Sequence, residues 1–370
     1  MLTPARFPRL PVVLFVLVGL LATSLAAQSE PEVEWHDVTT WDIEGRAWVD
    51  WERQRWFDRF PAAAEGSVTE KVWDLSRSPT GMVVRFASDA DALWVDFSLM
   101  GASLNGVNMT PISSSGLDLY ARDEDGAWRW VEALGPRKQS HRGKIVEGLA
   151  AGHREYALYL PLRNGIDSLQ IGVPAGAKFA PLPPREMAPI VFYGTSINHG
   201  ASASRPGMVH TALLGRWFDR PVVNLGFAGN GRMDAAVGDL MVHIDAAVYV
   251  IDCLPNMNST TVREKCVPLI KQLRAAQPDI PIVLVEDRRN TNSWILPDRN
   301  AHHDANHAAL RECYAELRAA GFRDLYYIEG DGLLGDDGEG TSDGSHPSDL
   351  GFWRQAKVME PILRQALIGR

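Results

Sequence analysis

The pattern of apolar and polar positions changes character half-way along the chain. Up to about residue 175, short runs of alternating apolar and polar residues recur between clusters of Gly, Asn and Asp. They lie at 81–86, 92–98, 127–131, 156–160 and 168–173. Such alternation, with little helical periodicity, is typical of half-buried strands joined by turns. We therefore expect residues 31–175 to form an accessory domain with a β-sandwich or jelly-roll fold.

The second half alternates continuous apolar runs with amphipathic segments. A Pro- and Ala-rich stretch at 176–188 predicts a linker between the halves. Beyond it, strands are predicted at 189–193, 221–225, 246–252, 280–285 and 325–328, with helices between them and a closing helix at 350–367. Buried strands alternating with amphipathic helices indicate a parallel sheet covered on both faces. Residues 189–370 are thus expected to form an α/β domain with a five-stranded parallel sheet between helices.

The first 27 residues have the pattern of an export signal. Arg6 and Arg9 precede an apolar run at 11–22, and the small residues Ser24 and Ala26 follow it. This order is typical of a secretory signal peptide, although an uncleaved membrane anchor is the alternative. We expect a secreted or periplasmic protein, with residues 1–27 removed and no stable membrane span afterwards.

The amino-acid composition disfavours some classes of function and predicts the state of the cysteines. The chain has 370 residues, 45% of them hydrophobic, and a formal net charge of -9. No long basic run is present, which disfavours nucleic acid as a partner. The cysteines are Cys253, Cys266 and Cys313, and an odd count in an exported protein leaves at least one free thiol. A bridge between Cys253 and Cys266 is an alternative to three buried free thiols, which we expect.

Residues with catalytic potential follow the predicted strands. Ser196 comes after the first, the Gly-rich segment Gly226–Gly231 after the second and Asn256 after the third, while Asp343 and His346 precede the closing helix. Each alone has an ordinary explanation as a helix cap or turn residue. Because the carboxyl ends of parallel strands meet at one edge of a sheet, together they favour a site for nucleophilic acyl transfer.

With these residues in this order, the sequence resembles the SGNH, or GDSL-type, hydrolases. Their motifs supply a nucleophilic Ser, a Gly, an Asn and an Asp-x-x-His pair. The resemblance implies that Ser196 is the nucleophile, His346 its base and Asp343 the acid that orients it. It also implies an oxyanion hole made of the Ser196 and Gly229 amides and the Asn256 side chain. The implied fold of the second half is flavodoxin-like, and the implied chemistry is ester hydrolysis without a metal or other cofactor.

Two motifs differ from the usual consensus sequences of the family. The segment Gly-Asp-Ser-Leu reads Gly-Thr-Ser-Ile at 194–197, which keeps the nucleophile. The segment Gly-x-Asn-Asp reads Leu-Pro-Asn-Met at 254–257, which keeps Asn256 but changes its flanks. Gly226 is the alternative to Gly229 for the Gly role.

The first half contains a further motif, Gly-Leu-Asp-Leu-Tyr at 116–120. It resembles the Gly-x-Asp-Leu-Tyr motif of a subfamily in which a β-domain precedes the catalytic domain. We expect the β-domain to pack firmly and to form one wall of the active-site cleft. Asp118 would cap a catalytic-domain loop and Tyr120 would pack across the junction, with a purely internal turn as the alternative.

Substrate contacts are predicted for His199, Arg205 and Glu286, with salt bridging as the alternative for Glu286. The group His302, His303 and His307 is predicted to lie on a surface helix or lid, with metal binding as the alternative. Export and an accessory domain favour an extracellular polymer as the substrate. The resemblance, to a superfamily whose members often remove acetyl groups from carbohydrates, implies an O-acetylesterase acting on an acylated carbohydrate or a small ester. The alternatives are a lipase, thioesterase or acyltransferase of the same superfamily, and a catalytically silent glycan-binding protein.

Overall fold

The first half of the chain forms two antiparallel sheets. The computed structural model describes residues 32–369, so the predicted signal peptide at 1–27 lies outside the described residues. The strands are β1 Val33–Asp37, β2 Val83–Ser88, β3 Ala92–Leu99, β4 Leu117–Arg122, β5 Trp128–Leu134, β6 Ser140–Glu147, β7 Arg154–Tyr159, β8 Ile166–Pro174 and β9 Phe179–Pro181. One sheet has the order β1-β8-β3-β6 and the other β5-β4-β7-β2-β9. Their inner faces share one apolar core, which confirms the predicted sandwich.

The predicted linker at 176–188 is in part a strand of this sandwich. Its residues Phe179–Pro181 form β9 and pair with β2. Phe179 stacks on the rings of His36 and Phe86, at centroid distances of 3.9 and 5.4 Å. A proline is acceptable there because β9 lies at the edge of its sheet.

The second half is a parallel sheet between helices, as predicted. Its strands are β10 Ile190–Gly194, β11 Val222–Gly226, β12 Val248–Asp252, β13 Ile282–Val285 and β14 Leu325–Ile328. The helices of the second half are α3 His210–Trp217, α4 Ala235–Met241, α5 Ser259–Ala276, α6 Pro297–Ala319 and α7 Asp349–Ala366. Two short helices, α1 Glu70–Ser76 and α2 Pro111–Ser115, lie in the first half of the chain. The order β11-β10-β12-β13-β14 is flavodoxin-like. β10 is the first strand of this sheet along the chain, and it lies between β11 and β12, so the strand order reverses beside it. A reversal of this kind opens a crevice for ligands at the carboxyl ends of the strands.

Both faces of the parallel sheet are buried. Along β10, Val191 and Tyr193 enter the apolar layer that includes residues of α4, α5 and α6. Ile190 and Phe192 enter the opposite layer, with residues of α3 and α7. This explains why the strand reads as continuously apolar in the sequence. In the described part of the chain, no helix has the length and apolarity to cross a membrane.

Residues between β1 and β2 also pack into the parallel-sheet layers. Val72 and Trp73 of α1 belong to the same apolar cluster as Tyr193. The buried guanidinium of Arg59 donates to the carbonyl oxygens of Asn224 and Gly226 at 2.9 and 2.8 Å. From Val33 onward the chain is one compact unit. The end of β11 is therefore held by residues from the first half.

The cysteines are all free. Cys253, Cys266 and Cys313 are buried and unpaired, so the bridge between Cys253 and Cys266 does not form. Burial raises the pKa of Cys253 well above its ordinary value, which keeps that thiol protonated and unreactive.

Candidate active site

Ser196 begins a tight turn directly after β10. Every other residue from Ile190 to Gly200 is buried, whereas Ser196 is half-buried. The side-chain oxygen of Asn198 closes the turn by accepting a hydrogen bond from the Thr195 amide at 3.1 Å. A Cβ at Gly194 would collide with the Asn198 amide group, which explains the glycine. The turn therefore presents the hydroxyl of Ser196 at the carboxyl edge of the sheet.

Three side chains form a hydrogen-bonded chain at this edge. Ser196 Oγ lies 2.8 Å from His346 Nε2. His346 Nδ1 lies 2.7 Å from Asp343 Oδ2. The structure thus brings together the three residues that the sequence nominated as a triad, in the order that general-base activation of a serine requires.

The Asp343 carboxylate is held by its own loop. Its Oδ1 accepts hydrogen bonds from the backbone amides of Ser345 and His346, at 3.0 and 2.8 Å. Partial burial acts to raise the pKa of Asp343, but the hydrogen bonds from His346 and Ser345 outweigh it and lower the pKa to about 2. Asp343 is therefore charged at any pH at which a neutral imidazole can act as a base.

Backbone donors are available beside the nucleophile. Within residues 32–369 the amides of Ser196 and Gly229 have no hydrogen-bond partner. Gly229 is exposed and has a φ of 71°, a conformation that favours glycine. The alternative, Gly226, is buried and its amide donates to Asn224 Oδ1 at 2.9 Å. Gly229 is therefore the better candidate for the oxyanion hole.

The Asn256 side chain lies against the same loop. With its Oδ1 turned toward the loop, that oxygen accepts from the amides of Asn230 and Gly231, both at 3.2 Å. In the opposite orientation, its Nδ2 reaches only the carbonyl oxygens of Phe227 and Gly231, at 3.5 and 3.4 Å. We assign the first orientation because it makes the shorter bonds. It leaves the Asn256 amino group available as a third donor to an oxyanion.

Comparison with known proteins identifies the family to which the chain belongs. The profile of the GDSL-like lipase/acylhydrolase family matches residues 187–364, and that of the GxDLY N-terminus of SGNH-hydrolase-type esterases matches residues 33–179. A crystal structure described as that of a GDSL-like lipase from Bacteroides ovatus is 30% identical, with a TM-score of 0.86 over 91% of this chain and 98% of that one. The chain belongs to the GDSL-like lipase/acylhydrolase family.

More distant structures share only the fold. The salicylyl-acyltransferase SsfX3 from a tetracycline biosynthetic pathway is 18% identical, with a TM-score of 0.70 over 91% of this chain and 96% of that one. A family two carbohydrate esterase from Cellvibrio japonicus is 12% identical, with a TM-score of 0.60 over 91% of this chain and 98% of that one. No curated protein matches the chain.

In this GDSL-family chain, the Gly-x-Asp-Leu-Tyr motif joins the sandwich to the parallel-sheet half. The carboxylate of Asp118 is fully buried. Its Oδ2 accepts from the Gly207 amide at 2.7 Å and from Arg205 Nη1 at 2.9 Å, and its Oδ1 accepts from Trp130 Nε1 at 3.1 Å. Arg205 also contacts the hydroxyl of Tyr120. The predicted cap on a catalytic-domain loop is therefore confirmed.

Arg205, for which a substrate contact is predicted, is engaged at the junction of the two halves. Its guanidinium pairs with Asp118 and lies over the Trp130 ring, 5.3 Å from the ring centroid. The partner of Arg205 lies 87 residues earlier in the chain, and the sequence does not indicate this pairing. The neighbouring Ser204 amide donates to Asp349 Oδ1 at 2.9 Å, and this links the loop to the start of α7.

The two other residues for which substrate contacts are predicted, His199 and Glu286, are buried. His199 is 1% exposed and its Nε2 lies 2.9 Å from Ser78 Oγ. Burial lowers the pKa of His199 well below its ordinary value, so it is neutral. Glu286 is fully buried and accepts from the Tyr327 hydroxyl at 2.6 Å and the Gly330 amide at 2.7 Å. Both residues support the fold beneath the site.

Two histidines of α6, His303 and His307, form a buried network, whereas His302 is exposed. His303 Nδ1 lies 2.8 Å from Asp287 Oδ2, and His303 Nε2 accepts from the Asn290 amide at 3.1 Å. His307 Nε2 lies 2.8 Å from the Asp287 carbonyl oxygen. Burial acts to raise the pKa of Asp287, but the two histidines outweigh it and lower the pKa to about 2. Asp287, His303 and His307 are close enough to share a metal ion, yet both nitrogens of His303 already have protein partners. We interpret the group as a structural hydrogen-bond network.

A polar cavity of about 310 Å³ lies beside the triad. Ile197, Pro255 and Ser345 line it, and they are the chain neighbours of Ser196, Asn256 and His346. The remaining lining residues are polar or charged: Asp287, Arg288, Asn290, Asp298, Arg299, His302 and His303.

Arg288 is a buried cation in the wall of this cavity. It is 2% exposed, and its Nη2 donates to both carboxylate oxygens of Asp252 at 3.0 and 2.9 Å. Its Nε and Nη1 have no partner in the described part of the chain.

Sequence reasoning missed Asn108. This residue lies in the sandwich half, and its Nδ2 donates to Asp343 Oδ2 at 3.3 Å across 235 residues of chain. It supports the prediction that the β-domain forms part of the active-site wall. No motif in the sequence marks the position.

Proposed function

We propose that this GDSL-family protein is an exported serine esterase that removes short acyl groups, chiefly acetyl, from carbohydrates. The observation that carries ester hydrolysis is the hydrogen-bonded chain from Ser196 through His346 to Asp343, with contacts of 2.8 and 2.7 Å. A catalytically silent glycan-binding protein has no need of this alignment. Export is proposed on the signal-like pattern of residues 1–27.

The geometry supports acyl transfer to water. His346 Nε2 takes the Ser196 proton as Oγ attacks the ester carbonyl, and Asp343 stabilises the imidazolium that forms. The free amides of Ser196 and Gly229, with the Asn256 amino group, are placed to bind the developing oxyanion. His346 then protonates the leaving alcohol, and water hydrolyses the acyl-enzyme by the same steps in reverse.

The cavity beside the triad favours a sugar over a long acyl chain. Among the described residues that line it, Ile197 and Pro255 alone are apolar. A buried alkyl chain would cover the polar and charged lining side chains without replacing their hydrogen bonds to water, which costs about 1–3 kcal/mol for each unmet group. Sugar hydroxyls can both accept from donors such as Arg299 and donate to carboxylates such as Asp298, which line the cavity. The shared fold of a family two carbohydrate esterase is consistent with this proposal.

An exposed tryptophan near the cavity adds to the argument. Trp294 is 83% exposed and lies on the chain between Asn290 and Asp298, which both line the cavity. The same loop is bonded to the triad loop, because the Thr291 amide donates to the Gly344 carbonyl at 2.9 Å. An exposed indole face next to hydrogen-bonding groups suits stacking on a sugar ring.

The proposal is tested by comparing esters. We expect p-nitrophenyl acetate to be hydrolysed with a kcat/KM at least about tenfold above that for the octanoate, and an acetylated polysaccharide to be deacetylated. The Trp294→Ala variant should lose activity on the polymer and keep its activity on p-nitrophenyl acetate. The control is Trp353→Ala, which removes a 46% exposed tryptophan that packs on Trp217. A preference for long acyl chains, or transfer to an added alcohol in place of water, would contradict the proposal.

A further inference from the structure

The sandwich reaches the triad through one tight turn. The Gly106 amide donates to the Met109 carbonyl at 3.0 Å, so Val107 and Asn108 form the tip of the turn. Val107 is fully exposed, whereas Asn108 is half-buried. The two tip residues therefore have different surroundings, although they are adjacent in the chain.

The turn is anchored on the far side of the domain junction. Met109 is 6% exposed and belongs to the apolar cluster that contains Ile197, the residue after the nucleophile. Leu162 from the sandwich and Ala203 from the parallel-sheet half lie in the same cluster. Packing of Met109 thus fixes the backbone of the turn beside the catalytic loops.

Asn108 donates a hydrogen bond to one of the two carboxylate oxygens of Asp343. Its Nδ2 donates to Asp343 Oδ2, the same oxygen that accepts from His346 Nδ1 at 2.7 Å. The Asp343 side chain is 40% exposed, so water competes for this carboxylate. The backbone amides of Ser345 and His346 hold only the other oxygen.

We propose that Asn108 is a positioning residue of the triad, supplied by the accessory domain. Its amide keeps Oδ2 of Asp343 directed at His346 and away from solvent. The sandwich is then part of the catalytic unit and not a separable binding module. The inference rests on the proposed ester hydrolysis but not on the identity of the sugar.

The test compares two variants of the full-length protein with a control. Asn108→Ala should lower kcat for p-nitrophenyl acetate about tenfold, with little change in KM, because the base is less well oriented. Asn108→Asp adds a negative charge beside Asp343 and so stabilises the imidazolium. It should move the rising limb of the kcat–pH profile upward by about one pH unit. Asn105→Ala is the matched control, because Asn105 lies in the same loop and its exposed side chain has no hydrogen bond to any described residue.

The rate of labelling of Ser196 by a fluorophosphonate provides a second readout that needs no carbohydrate. We expect Asn108→Ala to slow labelling about tenfold and Asn105→Ala to leave it unchanged. Wild-type rates and pH profiles in both Asn108 variants would overturn the inference while leaving the proposed function intact. A fall in unfolding midpoint without any change in pH profile or labelling rate would also overturn it. An inactive, unlabelled wild-type protein would instead refute the proposed function itself.

Discussion

The buried carboxylate of Asp118 gives the sharpest prediction about what holds the two halves of the molecule together. Replacement by alanine removes the acceptor of three hydrogen bonds, from Trp130, Arg205 and Gly207. Removing one partner of a buried ion pair costs about 3–5 kcal/mol, because the other charge stays buried and unpaired. The Arg205 side chain is 20% exposed and can turn partly toward water, so we expect about 3 kcal/mol.

Asn is not expected to rescue this position. Both carboxylate oxygens of Asp118 face donors, so either orientation of an amide would place an amino group against an N–H. Asp118→Asn should therefore cost about 1–3 kcal/mol, the usual penalty for an unmatched buried polar group. The matched control is Asp96→Ala, which breaks a sandwich ion pair whose side chains are 30% and 62% exposed. That change should cost less than about 1 kcal/mol.

The assay is equilibrium urea unfolding followed by tryptophan fluorescence, with the slope of the transition checked for each variant. A free energy of unfolding that falls by about 3 kcal/mol for Asp118→Ala, and hardly at all for Asp96→Ala, would support the structure. Equal effects of the two alanine variants would refute the claim that Asp118 is the buried junction between the halves.

Two other predictions concern the site directly. Asn256→Ala should lower kcat about 10²–10³-fold with little change in KM, as measured with p-nitrophenyl acetate; a pure KM effect would make Asn256 a substrate-binding residue. The lowered pKa of Asp343, about 2 against an ordinary 3.8, contributes stability that is present above the ordinary value and is lost as the pH falls toward 2. Asp343→Asn should therefore destabilise the protein more at about pH 5 than at about pH 2.5, as measured by urea unfolding, and an effect that grows as the pH falls would contradict this sign.

Much of the parallel-sheet half could be predicted from sequence because its strands are buried on both faces. Apolar runs such as Ile190–Gly194 and Val248–Asp252 have no solvent-facing positions, so their pattern indicates their place in the fold. The sandwich was harder to predict. The strand Ser140–Glu147 is mostly polar because it lies at the edge of its sheet, and no apolar alternation marks it.

The role of a site residue could be predicted where it depends on the residue's position directly after a strand. It could not be predicted where it depends on contact with a residue distant in the chain. Ser196, Asp343 and His346 come together because the ends of the strands and their loops converge. His199 and Glu286 are polar residues near those ends, yet they are buried by partners such as Ser78 and Tyr327 that the sequence does not associate with them. The contact of Asn108 with Asp343 depends in the same way on the packing of two distant segments.

The most direct test of the account is covalent labelling with a fluorophosphonate, followed by peptide mass spectrometry and ester hydrolysis on the same samples. The account predicts a single adduct on Ser196 in the wild-type protein, and neither adduct nor hydrolysis in Ser196→Ala at an unchanged unfolding midpoint. Near-normal hydrolysis by Ser196→Ala, or an adduct on another residue, would contradict it.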